Sequence, residues 1–413
     1  MKTFFLRNNF SMIIVAALTV VSLNAQIIKH EVINFNFGWK FIKGDFPDSS
    51  IPEFDDSGWR LLDLPHDWSI EGPFSPKLAS CTGYLPGGIG WYRKTFDVPR
   101  SWKRGKVYIM FEGIYNNSEV WINGNFLGKR PNGYISFQYD ITPFLKYGKT
   151  NIISVKADHS KYADSRWYTG SGIYRNVKLI FTPDIHIGLW GVHYTTRVID
   201  IDKAEVEMQV RVMNERDKKT DVELISVLYD GNEIIAEVSS QVILPPAIET
   251  TAEQKLVVPE PILWNVDNPH LYKLVTTVKG KGFNDELVTK TGIRYFNFDP
   301  DKGFSLNGIN MKLKGVCLHH DAGALGSAVP KSEIERRLLL LKEMGCNAIR
   351  TSHNPYSPDF LNLCDSIGFL VIDEAFDEWE LPKKKWIEGW NRGIPGKEGY
   401  AESFKEWAIK DLT

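Results

Sequence analysis

The sequence predicts a multidomain chain: a jelly-roll β-sandwich, an immunoglobulin-like β-sandwich, and then the first three β/α units of an incomplete (β/α)8 TIM barrel. Three observations predict it. Up to about residue 183, short alternating apolar and polar runs are separated by turn clusters, and no helix of convincing length interrupts them. From 184 to 296 the alternation continues in longer runs with Pro-rich joints. From 297 the period changes: short aliphatic runs alternate with helical stretches, and each run breaks off into His, Arg, Asp or Glu. Parallel sheets present chemistry in that way, with buried strands carrying polar side chains out at their carboxyl ends.

The chain opens with the pattern of an export signal over residues 1–25. Lys2 and Arg7 precede an apolar core from Ile13 to Val21, and Ala25 offers a small residue before Gln26. The core is short for a membrane span, so no stable membrane anchor is expected and the protein should be periplasmic or extracellular. A length of 413 residues suits roughly two to four domains. The formal net charge of −2 gives no reason to expect a nucleic-acid partner. Of the four cysteines, Cys81, Cys317, Cys346 and Cys364, three fall in the β/α segment, where buried free thiols are expected rather than disulfides.

In the first sandwich, residues 26–183, the runs KVYIMFEG, SEVWING and NIISVKA read as strands, with turns at Asn123-Gly124 and Tyr147-Gly148. Two loops stand out: His66 to Trp68, and DSRWYTGSGIYR from Asp164 to Arg175. The second mixes aromatic, polar and small residues as a ligand-facing surface would, although a tight structural turn reads the same way. The second sandwich, 184–296, carries AEVEMQVRVMN, DVELISVLYD and LYKLVTTVKG and is expected to hold about seven strands. It shows no constellation of catalytic side chains and reads as a spacer.

In the third segment, 297–413, Asn307-Gly308 marks a hairpin and Met311 to Cys317 the first strand. Ser332 is expected to cap a helix with apolar face Ile334, Leu338, Leu341 and Met344, closed by Gly345. Asn347 to Ser352 is the second strand, Pro358 opens a helix running to Gly368, Phe369 to Glu374 is the third strand, and a last helix is expected from Ala401. A closed barrel takes about 250 residues, so three units are a fraction of one.

The phrase NAIRTSHNP at Asn347 to Pro355 resembles a signature of glycoside hydrolase family 2. GWYRKTF at Gly90, SGIYR at Ser171, NPHLYKL at Asn268 and FSLNGINMKLKGVCLHHD at Phe304 resemble that family too, as does the order of the three segments. LHHD, SHNPYSP and DEAFDEW bring it nearer to β-galactosidase-like members than to β-glucuronidases or β-mannosidases.

The resemblance implies retaining chemistry with two glutamates, whose carboxyls stand about 5 to 5.5 Å apart. The family's acid/base lies in an Asn-Glu pair ending the fourth barrel strand, and its nucleophile follows the seventh. The barrel segment has no Asn-Glu pair, and Asn232-Glu233 belongs to the spacer. No catalytic residue is therefore assigned on this chain. By the same resemblance Arg350 supports the nucleophile, and His319 and His353 contact sugar hydroxyls. Asp164 reaches the pocket from the sandwich, with Ser165 as the alternative at that position, and Glu374 and Glu378 stand at the third strand. Some relatives hold magnesium beside such a glutamate with a nearby His; Trp379 and Glu380 follow Glu378 here, so no metal and no cofactor are expected. Asp373 and Glu374 are not the catalytic pair, because adjacent strand residues point to opposite faces.

Two functions follow. One is an exported retaining exo-β-glycosidase acting on terminal β-linked sugars, most simply β-galactosides, with these 413 residues lacking its two glutamates and inactive alone. The other is a non-catalytic carbohydrate-binding remnant. A glycoside or oligosaccharide is the expected partner in both, and a homo-oligomer is compatible with either.

Overall fold

The computed structural model describes residues 28–78, 82–160, 165, 167–200, 202–375 and 377. The expected export signal, Cys81, Asp164, Glu378 and the expected helix from Ala401 lie outside them.

The first sandwich packs a six-stranded antiparallel sheet against a four-stranded one. The central strands Gly88–Asp97, Thr150–His159 and Ser118–Ile122 pair in register, so Tyr92, Val155 and Val120 face the same core. The other sheet answers with Val107, Ile109 and Phe111 from Lys106–Phe111 and Val177, Leu179 and Phe181 from Val177–Thr182. The residues turned toward the facing sheet alternate along each strand, which fixes register, since a one-residue slip would turn that set away from the core; the outer face of Lys106–Phe111 and Val177–Thr182 is buried as well, with Tyr108, Met110 and Ile180 in a smaller cluster.

The second sandwich sets a three-stranded sheet (Ile185–Asp200, Lys203–Asn214, Ile248–Pro259) against a four-stranded one (Thr220–Asp230, Glu233–Leu244, Tyr272–Gly280, Phe283–Thr291). Its core is mostly β-branched and leucine side chains such as Val206, Val210, Leu224 and Leu274.

The β/α segment begins after a hairpin through Asn307-Gly308. Gly315–Leu318, Ala348–Thr351 and Leu370–Asp373 form a parallel sheet in that order, joined by helices α1 (Lys331–Glu343) and α2 (Pro358–Ile367). The first strand starts later than the sequence suggested, at Gly315 rather than Met311, where a Cβ would lie 2.8 Å from Ala348 O. Helix α1 is capped at Pro330, not Ser332, and receives no side-chain hydrogen bond there. Leu338 is buried while Ile334 and Leu341 pack against the core, but Met344 is 75% exposed because it is the C-terminal cap and lies past the packed turns. Helix α2 follows the sequence rules closely: Ser357 Oγ accepts from Phe360 N, and Gly368 closes the helix at φ +90°. No other residue fits that cap well, since a Cβ there would lie 2.3 Å from Val266 O.

The expectation of buried thiols holds only in part. Cys364 is buried in α2, Cys346 is half-buried, and Cys317 is exposed, because it alternates onto the face of the sheet that the helices do not cover.

Candidate active site

Register across the three parallel strands sorts side chains onto two faces. Val316, Ile349 and Val371 form one cross-strand row and pack toward the helices. Cys317, Arg350 and Ile372 form the next row on the opposite face and are exposed. Leu318, Thr351 and Asp373 return to the helix side, so residues just past the strand ends fall on the open face again.

That alternation separates the two acids at the third strand. Thr351 Oγ1 donates to Asp373 Oδ1 at 2.7 Å; Asp373 stays exposed, and partial desolvation of its carboxyl raises the pKa while this bond opposes the rise. The hydroxyl also accepts from Glu374 N at 2.9 Å, which fixes the backbone where the strand ends. Glu374 instead turns its carboxylate to the open face. One oxygen accepts from Arg350 Nε at 2.5 Å, and the other lies 2.7 Å from His353 Nδ1. A carboxylate oxygen can only accept, so His353 carries its proton on Nδ1 and leaves Nε2 for other partners. Arg350 NH2, 3.3 Å from the same nitrogen, is then a neighbour and not its donor. Contacts with Cys317 Sγ, at 3.7 Å, and with Glu374 raise the Arg350 pKa, so the guanidinium charge is held firmly.

The first sandwich supplies a wall. Trp167 stacks on His319 with ring centroids 5.3 Å apart at 25° and tilts against His353 at 5.1 Å; the two imidazoles are 5.7 Å apart. Its indole Nε1 donates to Tyr134 Oη at 3.2 Å, and Ser165 Oγ fastens the turn by donating to Trp167 O. Arg350, His319, His353, Glu374 and Trp167 therefore converge from two domains on one surface.

The loop carrying Trp167 is tied to the barrel segment through Asp67. This carboxylate, 2% exposed, accepts from the backbone of Ser69 and Ser171, from Tyr168 Oη at 2.6 Å, and from both the N–H and hydroxyl of Ser327. His320 adds a second tie, its Nε2 donating to Thr169 O at 3.0 Å. Burial drives the His320 pKa down to about 3, so the ring is neutral. Arg175 NH2 donates to Pro355 O at 2.8 Å and Asn176 Nδ2 to Asp359 Oδ2 at 3.1 Å. Aromatic residues of one domain are thereby set against strand ends of another.

Three family models cover most of the chain in the order the fold displays. The sugar binding domain of glycosyl hydrolases family 2 matches residues 69–183, a second model of the family matches 185–294, and its TIM barrel domain matches 300–382. The chain belongs to glycosyl hydrolase family 2. This family 2 chain is 47% identical over 95% of its length to a β-galactosidase of Bacteroides ovatus, covering 45% of that protein. It is 41% identical to a putative β-glucuronidase of Formosa agariphila, over 92% of this chain and 36% of that one. Among solved structures, a β-glycosidase from Bacteroides vulgatus superposes with a TM-score of 0.81 at 42% identity, over 92% of this chain and 48% of the other. The chain spans about half the length, or less, of these relatives.

Of the residues the sequence singled out in this family 2 chain, Arg350, His319, His353 and Glu374 come together; Asp164 and Glu378 lie outside the described residues. Ser165, the alternative to Asp164, is buried and spends its hydroxyl on the Trp167 turn. Among the described residues no group of three His, Cys, Asp or Glu could hold a metal ion. Sequence reasoning missed Trp167, Asp67, Thr351 and His320. The first two lay inside the two loops it marked, so composition had pointed to the place without naming the residue. His320 is the neighbour of His319 and faces the opposite way, which only the strand geometry reveals.

Proposed function

We propose that this chain is part of an exported retaining exo-β-glycosidase that removes terminal β-linked sugars, with β-galactosides as the substrate class. The observation that carries the reading is the convergence of Arg350, His353 and Glu374 at adjacent strand ends beside the Trp167 wall. Such a surface binds and orients: His353 Nε2 and His319 offer polar contacts to hydroxyls, and Arg350 carries a fixed positive charge where a nucleophilic carboxylate would need one. The 47% identity to the Bacteroides ovatus β-galactosidase supports the galactoside. The acid and nucleophile glutamates are proposed to come from sequence beyond these 413 residues. Export is proposed from the basic and apolar pattern at Lys2 to Ala25.

The test is turnover of p-nitrophenyl β-galactoside and p-nitrophenyl β-glucuronide, first by this chain and then by the chain extended through a full barrel. The expected outcome is no turnover by the 413 residues and galactoside hydrolysis by the extension, lost on Arg350→Ala. Turnover by the 413-residue chain would refute the missing-glutamate reading. Preference of the extension for the glucuronide would refute the galactoside.

A further inference from the structure

The seam between the two sandwiches holds a groove of about 370 Å³ that shares none of the active-site residues named above. Its rim is built by an irregularity in the strand Ile185–Asp200. Ile187 pairs with Val212 and Val192 with Val210, so residues 188–191 bulge out opposite the single residue Arg211. The sequence Gly188-Leu189-Trp190-Gly191 allows this: a Cβ on Gly191 would lie 2.7 Å from Gly188 O, and one on Gly188 would lie 2.8 Å from Glu249 Oε2. Arg211 reaches back to brace the bulge, donating to Leu189 O at 2.7 Å and pairing with Glu249 at 3.3 Å. Leu189 packs down on Tyr108, Met110 and Ile180 of the first sandwich.

Trp190 is the product of this construction. Its backbone is left-handed at φ +48°, which a bulky side chain adopts at a cost, and the residue is 56% exposed. A bulge that re-aims one aromatic side chain into solvent, braced by a buttressing arginine, is a feature calling for a function.

The groove beneath it is mostly apolar, lined by residues such as Val32, Met110, Ile180, Leu287 and Val288, and a few polar groups are set among them. Thr182 is 2% exposed, and its hydroxyl makes no hydrogen bond among the described residues. His186 Nδ1 donates to Pro183 O at 3.0 Å, which leaves Nε2 as an acceptor on a ring that burial keeps neutral. Gln138 adds an amide, and Lys178 is already neutralised by Glu112 at 2.6 Å. An apolar helix or strand laid here would leave the Thr182 hydroxyl unsatisfied and cover the His186 nitrogen without giving it a partner. A pyranose ring suits both parts, its C–H face against the indole and its hydroxyl rim toward neutral donors and acceptors.

We infer that the groove beside Trp190 is a second carbohydrate site, taking a neutral pyranose unit of an oligosaccharide apart from the strand-end site. It stands whether or not the chain has glycosidase activity. Among the described lining residues Lys290 is the one uncompensated cation, and it leaves an acidic sugar as the competing ligand.

Calorimetric titration of the 413-residue chain with β-1,4-linked galactotetraose, and separately with an oligosaccharide containing glucuronic acid, tests the inference. The expected result is saturable binding of the neutral probe that weakens about tenfold in Trp190→Ala, weakens several-fold in Thr182→Val, and persists in His353→Ala. Trp190→Phe should retain most of the affinity, which separates loss of stacking from loss of fold. No saturable binding up to about 10 mM, binding abolished by His353→Ala and kept by Trp190→Ala, or binding of the acidic probe alone would each overturn it. So would sedimentation showing a dimer that Trp190→Ala dissolves, since the tryptophan would then serve a second copy of the chain.

Discussion

The first sandwich and the parallel sheet bury their strands to different degrees. In the sandwich, each sheet finds the other, and Trp39, Tyr92, Phe111 and Ile153 are sealed from solvent. In the parallel sheet cover comes from the helix side alone, and even there Asp373 stays exposed at its strand end; Arg350 and Ile372 are exposed on the other face, and Leu339, Leu340 and Met344 are exposed on or just past α1. A two-sided core gives stability, and a one-sided one leaves a face free for chemistry. The Asp67 and His320 ties let the stable body position the reactive surface, because they join the Trp167 loop of the first to the strand ends of the second.

Removing that coupling should have the largest effect. Asp67→Ala leaves the donors of Ser69, Ser171, Tyr168 and Ser327 unpaired in a buried place, and a loss of roughly 3–5 kcal/mol is expected. Chemical denaturation of Asp67→Ala should show the β/α segment unfolding at lower denaturant, further from the sandwiches than in the unaltered chain; an unchanged profile would mean the domains do not depend on the tie.

Next, limited proteolysis of the 413-residue chain should remove the region beyond about Phe298 while both sandwiches persist. Equal resistance throughout would erase the contrast in burial.

A smaller effect concerns pH. His320 has its pKa lowered from 6.5 to about 3 in the fold, so the unfolded chain binds the proton more readily between those values. Its contribution is intact above pH 6.5 and is lost as pH falls toward 3, at up to roughly 1.4 kcal/mol per pH unit. Thermal melts of His320→Gln should lose part of this acid sensitivity, and identical pH profiles for the two proteins would contradict it.

Smallest in stability is Glu374→Gln, because the groups it holds are on the open face. The melting temperature should hardly move, whereas the nitrogen chemical shifts of the His353 ring should change as Nδ1 loses its carboxylate. An unaltered ring spectrum would show that Glu374 does not set the tautomer.

Much of this was legible in the linear chain because it rests on period. Alternation at two gave the sandwiches, the change to helical spacing gave the β/α units, and Ser357 with Gly368 bounded α2 by local chemistry alone. The strand-end residues Arg350, His353 and Glu374 were also readable, since side chains that end apolar runs share a register. Tertiary structure alone decided which of two adjacent residues does what. Asp373 and Glu374, like His319 and His320, are indistinguishable by composition, and the members of each pair part to opposite sides: Asp373 to Thr351 and Glu374 to Arg350, His320 to a buried bond with Thr169 and His319 to the Trp167 ring. It also decided that Trp167 meets His319 and His353, and that Asp67 meets Ser327, across long stretches of chain. Sequence patterns encode the period of a segment; they do not encode which loop of one domain comes to lie against the strand ends of another, because that depends on how completed surfaces pack.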